Sequence, residues 1–406
     1  MPHEPALITT IAAAFGLALI LGFLAVRLRL PALVGYMIAG VILGPATPGF
    51  VADIELSQQL AEIGVMLLMF GVGLHFSLAD LLAVRRIALP GAVAQIAVAT
   101  ALGAAVAHAW GWSLGSALVL GLSLSVASTV VLLKALEDRN ALTTANGRIA
   151  VGWLIVEDLA MVLALVLLPA LVGVLGGTAA PGALAAPAQG VFLTLVITLA
   201  KVAVFVAAAL AIGPRVLPWL LREVARTGSQ ELFTLAVLAL ALGIAFAAAA
   251  LFGISFALGA FFAGMVLKES ELSHKAATNS LPLRDAFGVL FFVSAGMLFD
   301  PSILLEQPVL VAAVLALILV GKSLVALAIV LALGYPASTA LTVAAALAQV
   351  GEFSFILGGL GLGYGLLDAA GFNLILAGAL FAITVNPLVF AGADWLTGRV
   401  RTSPAL

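Results

Sequence analysis

The chain contains no cysteine among its 406 residues, which excludes disulfides, thiolate metal sites and cysteine nucleophiles. Histidine is scarce: His3, His75, His108 and His274 never fall into a His-Glu-x-x-His spacing, so zinc chemistry has no support. Charge is scarce too. Asp, Glu, Lys and Arg make up 9% of the sequence, against about 25% in an ordinary soluble domain. The net charge of −2 gives no basic face for a nucleic acid. What abounds is apolar. Hydrophobic residues reach 64%, more than a globule of this length can hide while covering itself with polar side chains. The composition is that of a polytopic, all-α membrane protein whose first partner is the lipid bilayer. At about 20 apolar residues per span, the length accommodates about 12 to 14 spans.

Thirteen apolar segments are expected, at 6–26, 31–46, 55–75, 88–109, 113–136, 146–172, 190–212, 230–249, 251–268, 281–299, 307–333, 338–363 and 370–393. The first has Glu4 ahead of it and Arg27 and Arg29 behind, the reverse of a signal peptide, so it reads as a retained span. With thirteen spans, fifteen of the seventeen Lys and Arg residues fall in loops on one side, at the span ends beside those loops, or in the C-terminal tail. The other two, Lys201 and Lys322, sit inside spans. The positive-inside rule then puts the N-terminus outside and the C-terminus in the cytoplasm. It also puts loop 173–189 outside and 269–283 inside.

The chain repeats itself. Gly35 to Leu43 in span 2 matches Gly259 to Leu267 in span 9 at an offset of 224. Spans 3 and 10 match at 224 falling to 223, and spans 5 and 12 keep 223. An offset of seven spans is odd, so the copies lie upside down relative to each other. Such an inverted repeat is an architecture of secondary transporters, with the site near the midplane. The expected domains are repeat one at 6–172, a linker helix at 190–212 and repeat two at 230–393, with no soluble regulatory domain.

Ionisable residues at bilayer depth are functional candidates by default. Glu157 and Asp158 lie deep in span 6, Lys201 in span 7, Lys322 in span 11 and Glu352 in span 12. The competing reading is a buried ion pair that only fixes packing. Glu62 and Glu231 lie nearer span ends and read as interfacial. Adjacent residues on a helix point about 100° apart, so Glu157 and Asp158 cannot both face one cation. Glu157 is therefore expected to pair with Lys322. Span 5 adds Ser123, Ser125, Ser128 and Thr129, and span 12 adds Gln349 and Gly351. Hydroxyls and a glycine at matching depth suggest helices that break mid-membrane. Gly111-Trp112-Ser113-Leu114-Gly115 mimics a nucleophile elbow, but it lies between two helical spans and not after a strand. It reads as a turn, and no enzyme is expected.

On the run Ser123-Leu-Ser-Val-Ala-Ser-Thr129, the acidic pair Glu157-Asp158, Gly321-Lys322 and Gly351-Glu352-Phe353, nearly the whole chain resembles the monovalent cation:proton antiporter-2 family, of the Kef/YbaL potassium–proton antiporter type. The resemblance implies a sodium/proton antiporter-like fold with two crossed, interrupted helices in spans 5 and 12. It implies that Asp158 binds the cation, with Glu157, Ser128 and Thr129 as further ion or proton ligands. Lys322 and Glu352 would compensate charge, with Gln349, Ser125 and Lys201 in support. No cofactor is implied: K⁺ or Na⁺ and H⁺ are the cargo. It also implies a homodimer in the bacterial inner membrane and a cytoplasmic nucleotide-binding regulatory domain, which these 406 residues do not include. Glu157 is a departure, since Kef-type proteins usually carry Gln there, and it leaves the stoichiometry open. A sodium-coupled organic-anion symporter on the same architecture and a ligand-gated potassium efflux channel are the alternative readings.

Overall fold

A computed structural model describes residues 6–75, 78–142, 144–178, 191–253, 255–268 and 270–401. Among the described residues the fold is entirely helical. In chain order the helices are α1 (Ala6–Arg27), α2 (Ala32–Leu43), α3 (Ile54–His75), α4 (Leu78–Ala109), α5 (Leu114–Ser125), α6 (Thr129–Glu137), α7 (Ala145–Leu171), α8 (Val191–Arg226) and α9 (Gln230–Phe252). Then come α10 (Phe256–Lys268), α11 (Ser273–Met297), α12 (Ile303–Glu306), α13 (Pro308–Ala316), α14 (Lys322–Ala332), α15 (Ala337–Leu347), α16 (Glu352–Gly363) and α17 (Ala369–Arg401). A π-helical turn, Leu317–Gly321, joins α13 to α14 into one long segment.

Among the described residues nine helical segments are long and apolar enough to cross a membrane, and α15 with α16, bent by 44°, makes a tenth. The apolar helices α2, α5 and α10 are shorter. Local chemistry sets the ends. Ser113 and Thr144 cap α5 and α7 by accepting from the N–H groups of Ser116 and Gly147. Gly253 ends α9 at φ +67°, in the left-handed region that glycine enters without strain.

Several boundaries depart from the hydropathy reading. α4 starts at Leu78, so Arg85 and Arg86 lie exposed on the helix itself and not in a loop. α8 continues to Arg226 through Pro214 and Pro218. Residues 273–283, expected in a loop, already belong to α11. In each case the apolar run marks only what suits the hydrocarbon core, whereas helical hydrogen bonds continue into polar surroundings. The expected outside loop at 173–189 lies largely outside the described residues.

The chain divides into two compact units: residues 1–23, 35–77 and 189–298, and residues 24–34, 78–188 and 299–406. In the first unit, the backbone of α2 meets α11, and the backbone of α10 meets α3. A Cβ on Gly40 would strike the Val293 carbonyl and lie 2.8 Å from the Met297 nitrogen. A Cβ on Gly264 would strike the Phe70 carbonyl and lie 2.9 Å from the Leu74 nitrogen. The two contacts correspond residue for residue at offsets of 224 and 223. Such glycine contacts let helices approach closely where lipid supplies no hydrophobic drive to associate.

The second unit gathers α4–α7 and α12–α17. Leu132, Leu136, Trp153, Val330, Val343 and Phe390 lie in an apolar core drawn from six of its helices. Next to that core, two helices are interrupted.

Candidate functional site

The site is built on two breaks. α5 ends at Ser125, residues 126–128 are non-helical, and α6 resumes at Thr129. Val126 there is extended, with φ −104° and ψ 150°. α15 ends at Leu347 and α16 resumes at Glu352 after Gly351, also extended. The residue types explain the breaks. Serine and threonine offer the backbone local alternatives to helical bonds, and glycine adds the least to the helix. The two stretches run against each other: a Cβ on Gly351 would sit 2.7 Å from the Ala127 carbonyl oxygen.

Each break leaves backbone groups without helical partners in buried surroundings, and side chains satisfy them. Gln349 binds Ser128 twice: its Oε1 accepts from the Ser128 N–H at 2.8 Å, and its Nε2 donates to the Ser128 carbonyl at 3.1 Å. Glu157 Oε2 accepts from the Ala127 N–H at 2.9 Å. Ser128 caps α6 by accepting from the Val131 N–H at 3.3 Å, and its hydroxyl donates to Glu352 Oε2 at 2.9 Å. The carboxylate of Glu352 thus lies where the positive ends of α6 and α16 come together. The Thr129 hydroxyl donates to Asp158 Oδ2 at 2.9 Å.

Lys322, placed just after the π-helical turn, donates to the carbonyls of Gln349 at 2.6 Å and Leu124 at 3.4 Å. The expected pairing with Glu157 is electrostatic and not a direct ion pair: each charge acts on the other, yet no salt bridge joins the two among the described residues. The physical reason lies at the C-terminal ends of α5 and α15, where unpaired carbonyls concentrate partial negative charge and offer the ammonium two acceptors. Glu157 meanwhile spends one oxygen on the break.

Relative exposures of 0% for Glu157, 5% for Asp158, 1% for Lys322 and 2% for Glu352 put every buried charged side chain among the described residues in this one unit. Three acids against one lysine leave a formal excess of negative charge in a low-dielectric setting, which a proton or a cation would relieve. Asp158 Oδ1 and Glu157 Oε1 accept from no protein group. The described residues hold no cluster of three or more His, Asp or Glu suited to a transition metal. The donor set is hard oxygen: one carboxylate and its neighbouring hydroxyls, chemistry that suits a monovalent cation or a proton.

Of the residues singled out from sequence, Asp158, Glu157, Ser128, Thr129, Gln349, Lys322 and Glu352 are brought together. Ser125 joins them through its carbonyl, while its hydroxyl turns back to Leu122 at 2.8 Å. Lys201 lies exposed on α8, in the other unit. Two residues escaped the sequence reading. Gln95 on α4 donates to the Ser125 carbonyl at 2.9 Å, and Asn386 on α17 donates to the Ala345 carbonyl at 3.0 Å. Both are amides within apolar spans, and the polarity that marked the acids marks them as well.

Comparison with known proteins follows the same line. Residues 14–392 match the family described as sodium/hydrogen exchanger, transmembrane. YbaL of Escherichia coli (strain K12), named as a cation/proton antiporter, is 60% identical over 99% of this chain and 71% of its own length. The K(+) efflux antiporter 4 of Arabidopsis thaliana is 35% identical over 89% of this chain and 59% of its own. In architecture the chain is similar to the solved structure of the sodium proton antiporter MjNhaP1 from Methanocaldococcus jannaschii. The TM-score is 0.69 at 13% identity, over 96% of both chains.

Proposed function

The chain belongs to the sodium/hydrogen exchanger transmembrane family, and from that premise we propose that it exchanges a monovalent cation, K⁺ before Na⁺, for protons at Asp158. The observation that carries the reading is the environment of that carboxylate. It is buried, held on one oxygen by Thr129, and free on the other. A proton or a dehydrated cation can take the free oxygen, but not both. An empty, charged carboxylate is costly within the bilayer, which discourages the unloaded protein from switching sides and so couples the two fluxes. The preference for K⁺ leans on relatives named as K⁺ efflux antiporters.

The long, bent and short apolar segments together support thirteen spans, with the N-terminus outside and the C-terminus in the cytoplasm of a bacterial inner membrane. The matched contacts of Gly40 and Gly264 support an inverted repeat, and the approach of Gly351 to Ala127 supports crossing of the two interrupted helices. The second unit would be the moving core and the first the dimerisation part of a homodimer. In the longer protein, a cytoplasmic nucleotide-binding domain would regulate it. Glu157 also keeps one oxygen free, but Lys322 balances its charge, whereas the charges acting on Asp158 are the acids Glu352 and Glu157. With Glu157 charged throughout the cycle, one proton exchanges for one cation.

The test is a cation scan. Purified protein in sealed vesicles, with a pH-sensitive dye inside, should release or take up protons when K⁺ is added, less strongly with Na⁺, and not with choline. Cation flux without obligatory proton flux would favour a channel and remove the reading.

A further inference from the structure

The ends of both interrupted helices are held by a donor from the preceding helical segment. Behind α15, Lys322 on α14 donates to the Gln349 carbonyl at 2.6 Å. Behind α5, Gln95 on α4 donates to the Ser125 carbonyl at 2.9 Å. The two acceptors stand 224 positions apart, the offset that also relates Gly40 to Gly264. The donors themselves stand 227 positions apart, so they match in what they hold and not in register: one is an ammonium and the other a neutral amide. Gln95 is fully buried, its Nε2 makes this bond, and its Oε1 accepts from no protein group.

The last carbonyls of a helix have no donor within it, and Ser125 is fully buried, so its carbonyl needs a donor from the protein. Ser125 O is where the 126–128 stretch departs from α5. Three residues later the Ser128 hydroxyl meets Glu352, and the next hydroxyl, Thr129, meets Asp158. We infer that Gln95 is a positioning residue for the ion site: by holding the Ser125 carbonyl it sets where Ser128 and Thr129 present their hydroxyls. It does so without charge, so the excess of acid that attracts the cation is left intact. An ammonium in its place would neutralise part of that excess. This inference rests on the function proposed above. Gln95 itself does not touch the cargo oxygen.

The experiment compares wild type, Gln95→Met and Gln95→His in proteoliposomes, measuring the apparent KM for K⁺ and the maximal rate of K⁺-driven proton flux. Methionine keeps an unbranched chain of similar length and loses the N–H. Histidine places an Nε2–H the same number of bonds from the backbone and can restore the donor. Gln95→Met should raise KM about tenfold with the maximal rate changed less than about threefold, and Gln95→His should return KM to within about threefold of wild type. A merely structural role would lower the amount of folded protein and the maximal rate while leaving KM alone. A KM within about twofold of wild type in Gln95→Met, or a Gln95→His protein as impaired as Gln95→Met, overturns the inference. Should Gln95→Met not assemble, Gln95→His decides by the same criterion. If wild type exchanges nothing, the proposed function fails. The rise in unfolding temperature with added K⁺ then decides the inference: a weaker rise in Gln95→Met supports it, and an equal rise overturns it.

Discussion

Gln349 and Ser128 lie 221 residues apart in the chain, yet one side-chain amide satisfies both backbone groups of the other residue. Each interrupted helix is thereby braced by the other. Gln349→Leu leaves the Ser128 N–H and carbonyl buried without partners, at an expected loss of about 2–4 kcal/mol of stability. Denaturant unfolding in detergent checks it, and a loss below about 1 kcal/mol would contradict the bracing.

Lys322 holds two carbonyls, so its donor capacity and its charge are separable. Lys322→Gln keeps one N–H for the Gln349 carbonyl, as Gln95 supplies one to Ser125. Lys322→Met keeps none. The methionine variant should be the less stable by about 1–2 kcal/mol, read from side-by-side unfolding curves. Equal losses would mean that the charge alone matters.

The Thr129 hydroxyl is the protein's donor to Asp158, and valine copies its shape without it. Thr129→Val should fold normally and raise the apparent KM for K⁺ by about tenfold, the scale of one charge-assisted hydrogen bond. A vesicle assay with titrated K⁺ measures this, and an unchanged KM would remove Thr129 from the site.

The orientation can be checked chemically because the chain has no cysteine of its own. Single cysteines at Gly182 and Ser273 should react with an impermeant maleimide from opposite faces of oriented vesicles. Reaction of both from one face would reverse the topology and undo the inverted repeat.

Much of this arrangement was legible in the residues. Polar side chains stand out in apolar spans, so Asp158, Lys322 and Glu352 could be chosen by depth alone. The breaks at Ser128 and Gly351 announced themselves by hydroxyls and a glycine at matching depth. Partners were less legible. Depth does not say which way a long side chain turns: Lys322 was expected to bridge Glu157 directly, and its ammonium is found bonded to two carbonyls while its charge still acts on Glu157. A backbone carbonyl has no sequence signature, and its pull on an ammonium appears only once the helix is seen to end there. Gln95 and Asn386 were passed over for the same reason: an amide in a span means little until an unpaired carbonyl faces it. Lys201 was picked out by depth, and it lies exposed in the other unit.

The central claim is that one carboxylate carries either ion. Wild type, Asp158→Asn and Glu157→Gln should be reconstituted in vesicles with a K⁺ gradient, a pH-sensitive dye and a clamped membrane potential. The account predicts that Asp158→Asn exchanges nothing, while Glu157→Gln retains exchange at a rate indifferent to the potential. Two protons per cation would instead make the rate follow the potential, at about 2.3 kcal/mol per 100 mV for each cycle. Proton flux that still follows added K⁺ in Asp158→Asn would contradict the account directly.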